Sequence, residues 1–289
     1  MSKQHRADLL LLLVTMAWGA SYYLMDRCLR EIGPLTLNAF RFLISSVLII
    51  VLTFPHLRQT DRKTLRYSLL GGAALFFVYA GATFGVSYTS ISNTGFIVSL
   101  TVVFVPIFEW ILFKIKPSKM LVFITFGCVV GLALLTLNDN YQPRLGDFFC
   151  LISASASALN LIVTERAISK ENIDPIRMTT IELLFVGVTM LITAYLFEKP
   201  QLPQSGSVWA GILFLSLVCT GAATLIQTTQ QKLTRATNVG LIYSLEPVFS
   251  AIVAYIFAKE RLGTRGATGA VIMLACLVYM ELRVKADEH

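Results

Sequence analysis

Charge is missing from long stretches of this chain, and that absence restricts the fold more than any other feature. No Asp, Glu, Lys or Arg occurs at 9–25, 42–57, 67–108, 120–138, 148–164, 183–197, 200–231 or 266–280. Such runs match the roughly 20 apolar residues a helix needs to cross a hydrocarbon layer of ~30 Å. The run from Tyr67 to Phe108 is too long for one crossing. It breaks at the polar string Ser87-Tyr88-Thr89-Ser90-Ile91-Ser92-Asn93-Thr94-Gly95, which predicts a tight helical hairpin. With a further span from Thr237 to Ala258, the pattern predicts an all-α integral membrane protein of ten transmembrane helices. Composition agrees: 55% of residues are hydrophobic and 14% charged, against about 25% charged in soluble proteins. A soluble domain could not bury that much apolar surface, and the connections are too short for an extramembrane domain.

The bases set the orientation. With the N-terminus inside, sixteen of the 24 Lys and Arg residues flank the inner helix ends and seven the outer ends, with Arg41 alone within a span. The positive-inside rule therefore predicts a multi-pass protein of the cell membrane with both termini cytoplasmic. The cluster Lys259 to Arg265 is the outer exception. The same distribution accounts for a pI near 9.2 without nucleic acid, since no basic module interleaved with aromatics is present to bind a phosphate backbone. The N-terminal segment imitates a signal peptide, yet it has an internal counterpart and is expected to be retained. The five cysteines are scattered, with neither metal-ligand spacing nor a disulfide framework, and read as small buried hydrophobes. No metal or cofactor is expected.

That counterpart belongs to a repeat. At a spacing of 139, Asp8 meets Asp147, and Asp26-Arg27 meets Glu165-Arg166; at 141, Pro34 meets Pro175 and Arg41 meets Glu182. At 145, Ser92-Asn93-Thr94-Gly95 meets Thr237-Asn238-Val239-Gly240, and Ile97, Ser99, Leu100, Val103 and Phe104 meet Ile242, Ser244, Leu245, Val248 and Phe249. The repeats run over residues 8–137 and 147–284, five helices each. An odd number per half sends the second half into the membrane from the opposite side. Inverted repeats of this kind belong to secondary transporters, whose halves exchange roles to open a central site to either side.

Several residues carry a resemblance to a known family. Trp18-Gly19 in the first helix, Arg41-Phe42 opening the second and Ser244-Leu245-Glu246-Pro247-Val248 in the ninth, followed by Lys259-Glu260-Arg261-Leu262, resemble the EamA-like branch of the drug/metabolite transporter superfamily. The resemblance covers nearly the whole chain. It implies a central cavity lined by the first, third, fourth, sixth, eighth and ninth helices, with the fifth and tenth peripheral. The first half departs from the pattern, with Thr101-Val102 where the second has Glu246-Pro247.

Four charges fall within the predicted spans, and each needs a reason. Glu109 lies about one turn from Lys114, which predicts interfacial pairing, and Glu182 is within reach of Arg177. Arg41 is shallow enough to snorkel outward. Glu246 lies some nine residues into its helix, roughly 13 Å deep at 1.5 Å per residue, near the midplane. Two readings of it stay open: a buried ion pair with Arg41, or a substrate- or proton-binding carboxylate. Pro106 and Pro247 are expected to interrupt corresponding helices, a pointer to a transporter's site. Around them, Trp18, Tyr22, Tyr79, Thr83, Asn160, Gln227, Tyr243 and Ser244 predict a mostly apolar pocket with a few polar anchors.

These features predict a small-molecule substrate, amino-acid-like in preference, moved by alternating access through export or exchange. A proton or counter-substrate would drive it, and the unit would be a monomer or homodimer in the bilayer. The runner-up is a broad drug or nucleoside exporter of the same fold; a scaffold without transport is the rival of another class. An enzyme is not expected, since His5, His56 and His289 lie outside the spans and no nucleophile–base pair is visible.

Overall fold

The computed structural model describes residues 3–57, 60–89, 91–136, 144–258 and 263–287. Lys259-Glu260-Arg261-Leu262, the far end of the first repeat at 137 and most of the 138–146 connection lie outside them. The described residues form helices and no strand: α1 (Lys3–Leu29), α2 (Pro34–Leu57), α3 (Arg62–Tyr88), α4 (Ile91–Ser99), α5 (Thr101–Phe113), α6 (Lys119–Thr136), α7 (Leu145–Glu165), α8 (Pro175–Phe197), α9 (Gly206–Ser216), α10 (Ala223–Gln230), α11 (Ala236–Tyr243), α12 (Glu246–Ala258) and α13 (Thr264–Asp287). Among them are eight helical stretches long and apolar enough to span a membrane, and two shorter apolar ones at Lys119–Leu134 and Thr264–Met280. Large side chains point outward along them, among them Phe123 and Phe126, 70% and 67% exposed. Water penalises such a surface and hydrocarbon does not.

Local chemistry sets the helix ends. Asp61 and Asp174 each accept the amide three residues on, from Thr64 and Arg177 at 2.9 Å, and so start α3 and α8. Asp147 accepts the Arg144 amide at the start of α7. Lys114 closes α5 in the left-handed region, at φ 59°.

The helices are irregular in two ways, by tight breaks and by π-turns. The stretch holding α4 and α5 is interrupted at Leu100, and the one holding α11 and α12 at Ser244–Leu245. Both interruptions are tight turns, with Val103 N–H bonded to Leu100 C=O and Val248 N–H to Leu245 C=O. A π-helical turn, Leu217–Ala222, joins α9 to α10. A second, Arg166–Lys170, follows α7. A π-turn widens the helix and frees carbonyls for other donors.

Packing crosses between the two halves throughout. α2 lies along α8 and α6 along α13, while α3 packs on α7 and α1 on α9, α10 and α12. Small residues let these helices approach. A Cβ on Gly81 would come 2.5 Å from the Phe149 carbonyl, and one on Gly19 would come 2.8 Å from that of Glu246. A central space remains among α1, α2, α3, α4, α5, α7, α10, α11 and α12.

Candidate functional site

That space is a cavity with about 710 Å³ between the atoms that line it, part of it open at the margins. Trp18, Tyr22, Arg41, Tyr79, Asn160, Gln227, Tyr243 and Glu246 all face it.

One wall is cationic. Arg41 is 1% exposed. Its Nε donates to Thr220 Oγ1 at 2.8 Å, and one terminal nitrogen contacts Met25 Sδ at 3.4 Å. Its guanidinium carbon lies 4.7 Å from the centre of the Tyr79 ring, a cation–π contact, and that ring packs edge-on against Phe42. The π-turn between α9 and α10 makes this wall. It presents the Thr220 hydroxyl to Arg41, and its Cys219 carbonyl accepts the Trp18 indole N–H at 2.7 Å. Ser45 Oγ donates to the Ser216 carbonyl at 2.6 Å. The expected outward snorkel of Arg41 is therefore corrected: α2 is clasped by α8 and α9, and the head turns to the acceptors and rings inside.

The opposite wall is anionic. Glu246 opens α12 immediately after the Ser244–Leu245 turn, and Tyr22 lines the cavity with it. Trp18 meets Tyr243 edge to face at 4.8 Å beside it. The Tyr243 hydroxyl is buried without a hydrogen-bond partner. Arg41 and Glu246 share the cavity without forming an ion pair. Between the walls, Asn160 donates to the Gly71 carbonyl at 3.1 Å and accepts from Gln227 at 3.4 Å, which leaves the two amides crosslinked along one side. Among the described residues, no group of three His, Cys, Asp or Glu side chains gathers as a metal site would require.

Other expectations are corrected by the geometry. Thr83 is turned away from the cavity; its hydroxyl donates to the Tyr79 carbonyl at 2.7 Å and accepts from Asn38. Ser244 is likewise outside, donating to the Leu241 carbonyl. A helical Ser or Thr often spends its hydroxyl on the preceding turn in this way. Pro106 interrupts nothing; it sits within α5, and the break expected there falls at Leu100. Pro247 lies in the first turn of α12, directly after its break, where a missing N–H is harmless. Glu109 takes the Thr237 hydroxyl at 2.8 Å rather than Lys114. Glu182 forms no ion pair and lies against Gly71, one carboxylate oxygen without a hydrogen-bond partner. Met25, Leu75, Val98 and Thr101 also line the cavity. For Thr101 the signal was available, since it stands 145 positions before Glu246.

Comparison with known proteins decides the family. The model of the EamA-like transporter family matches residues 5–137 and again 144–281. The chain belongs to that family. It is a multi-pass membrane transporter. An uncharacterized transporter of Archaeoglobus fulgidus is 25% identical over 282 residues, covering 98% of this chain and 88% of the relative. The uncharacterized transporter YoaV of Bacillus subtilis is 22% identical over 279 residues, covering 92% and 93%. A protein of known crystal structure has the same fold, with a TM-score of 0.77 at 16% identity over 94% of this chain and 96% of that one. Within this EamA-like transporter, the cavity between Arg41 and Glu246 is the candidate substrate site.

Proposed function

We propose that this EamA-like transporter moves small amino-acid-like metabolites across the cell membrane by alternating access, as an exporter or exchanger. The observation that carries the reading is the pair of opposite charges that face one cavity and do not neutralise each other. A zwitterion fits both walls: its carboxylate toward Arg41, its ammonium toward Glu246 and Tyr22, its side chain among Trp18, Tyr79 and Tyr243. Burying unpaired charge in a membrane is expensive, and a ligand carrying both signs offsets that cost on both walls.

The alternating mode draws support from packing. α2 and α8, and likewise α6 and α13, hold equivalent places in the two proposed repeats (8–137 and 147–284), and each lies against its equivalent. A two-fold axis in the membrane plane produces that arrangement. The bases place both termini on the cytoplasmic side. Cysteines at Thr60 and Lys116 should then label from the cytoplasm and one at Ser205 from outside; the reverse pattern would invert the topology.

Proteoliposomes test the substrate class. Uptake of labelled aliphatic and aromatic amino acids should exceed that of the matching amines, which lack the carboxylate, and of nucleosides. Nucleoside uptake with no amino-acid uptake would favour the broad-exporter reading instead. An imposed pH gradient, compared with preloaded unlabelled substrate, separates proton coupling from exchange.

A further inference from the structure

Two carboxylates cross between the halves at one end of the molecule. Glu31 follows α1 and reaches the start of α9, where it accepts the amides of Gln204 and Ser205 at 2.7 and 2.9 Å and the Ser205 hydroxyl at 2.7 Å. Glu198 follows α8 and reaches back to the start of α2. It accepts the amides of Leu35 and Thr36 at 2.8 and 2.9 Å and the Thr36 hydroxyl at 2.7 Å. Each half thus ties down the start of a helix in the other: Glu198 caps the first-turn amides of α2, and Glu31 holds the two residues just before α9. Gly33 makes room, since a Cβ there would overlap the Glu198 carboxylate. The Ser205 hydroxyl, with the two amides, holds the Glu31 carboxyl below its usual range. A third crossing at this end joins the Thr89 hydroxyl to Asp147 at 2.8 Å.

The other end is built differently. There α3 and α8 carry their own caps, Asp61 and Asp174. Among the described residues the crossings include a half-exposed ion pair, Lys63 with Glu171, the Glu109–Thr237 hydrogen bond and the Arg166 guanidinium 4.9 Å from the Phe113 ring centre; Glu165, which accepts the Ala236 amide at the start of α11, stays within the second half. Glu171 stands 140 positions after Glu31, the same station in the second half, yet it holds one lysine tip rather than a helix start. The position 141 before Glu198 is Leu57, which has no carboxylate to give. Thr234, 145 after Thr89, is buried with its hydroxyl unbonded. Two clefts lined by Glu109 and Arg235 already open at this end. An exposed ion pair contributes little; separating either crossing carboxylate breaks three hydrogen bonds at once.

We propose that Glu31 and Glu198 are the gate residues of this transporter, crossed caps that keep the Glu31 end shut at rest and leave the Lys63 end to open first. They act by positioning α2 and α9 and do not touch substrate. The proposal rests on the alternating-access reading above.

Side-specific labelling tests it. The full chain, with its five cysteines replaced by alanine and Ala82→Cys in the cavity wall, is placed in membrane vesicles and treated with a membrane-impermeant maleimide from either face. The parent should label faster from the Lys63 face. Glu31→Ala with Glu198→Ala should raise the rate from the Glu31 face about tenfold and lower it from the Lys63 face. Lys63→Ala should leave the Glu31-face rate unchanged. If the carboxylates only stabilise the fold, both rates rise together or neither moves, and either result overturns the gate. Should the alanine pair not reach the membrane, Glu31→Gln with Glu198→Gln keeps length and one acceptor oxygen. It should shift the ratio the same way by a smaller factor, and an unchanged ratio overturns the gate. If the introduced thiol stays silent from both faces in every variant, with no amino-acid uptake, the alternating-access reading falls and the gate with it. Uptake with an unmoved ratio removes the gate alone.

Discussion

The two interrupted helices share a backbone and differ in chemistry. α4 and α5 break at Leu100, α11 and α12 at Leu245, 145 positions later. Both breaks bring the first residue of the next helix to the cavity: Thr101 in one half, Glu246 in the other. Thr101 spends its hydroxyl on carbonyls, donating to Val98 at 2.7 Å and to Ala154 at 3.2 Å. Glu246 faces the cavity alongside Tyr22. The helices that cover the breaks differ as well. α1 covers the second with Gly19, and α7 carries Ala158 at the equivalent place, 139 positions on. The fold therefore supplies two openings of one shape, and a single residue at each decides whether it is glue or a charge. Thr101 and Glu246 thus give two breaks of one shape different chemistry at the cavity.

The largest expected effect separates those two residues. Glu246→Gln keeps shape and removes charge, so zwitterion affinity should fall about ten- to hundredfold, the worth of a charge-assisted hydrogen bond. Since Arg41 is held by Thr220, Met25 and Tyr79 and not by Glu246, the variant should fold and express normally. Thr101→Val should change uptake less than about twofold, because its hydroxyl is spent on the Val98 and Ala154 carbonyls and not on the cavity. Equal losses in the two variants, measured as uptake per folded protein, would mean that both breaks serve the site alike. Arg41→Lys comes next. It keeps the charge and loses the planar stacking on Tyr79 and the fixed fork. Uptake of amino acids should drop about tenfold while uptake of the corresponding amines stays level. A parallel fall in both would remove Arg41 from the carboxylate's place.

A smaller effect concerns the covering helices. At Gly19 a Cβ would lie 2.8 Å from both the Glu246 carbonyl and Phe249 Cβ. Gly19→Ala should therefore push α1 off the break and cost about 1–3 kcal/mol, seen as a lower midpoint in a thermal unfolding scan. Ala158→Gly in the first half leaves backbone contacts in place and should cost about 1 kcal/mol at most. A melting temperature unmoved by Gly19→Ala would show that the close α1–α12 approach is not required.

The helical fold was legible because hydropathy and charge act on every residue of a span. Most of the side chains that face the cavity were legible too, since a polar or aromatic side chain at mid-span depth has few reasons to be there. What depth does not encode is direction. Arg41 reads as shallow, and only the clasp of α8 and α9 with the π-turn at Thr220 turns it inward. Thr83 and Ser244 have the right depth, yet their hydroxyls bond the preceding turn. The breaks were sought at proline, the residue that must break a helix, but they occur at Leu100 and Leu245. No local propensity marks a leucine as a break, and only the 145-residue match of Ser99-Leu100 with Ser244-Leu245 carried that information.

The smallest effect has a sign that differs between the halves. Gly95 in α4 and Gly240 in α11 are equivalent positions, and neither has a positive φ. A Cβ on Gly95 would rest 3.7 Å from Pro247 Cγ, an ordinary contact; on Gly240 it would come 3.4 Å from Val105 Cγ2, at the edge of crowding. Glycine in a helix interior is less stable than alanine by roughly 0.5–1 kcal/mol. Gly95→Ala should therefore raise the unfolding midpoint slightly, since the entropy gain meets no clash. At Gly240 the gain is offset by the push on Val105, so the midpoint should stay level or fall. Uptake should survive both, because neither Cβ reaches the cavity. If Gly240→Ala stabilises as much as Gly95→Ala, the second break is no more tightly packed than the first, and the asymmetry shrinks to the residues that face the substrate.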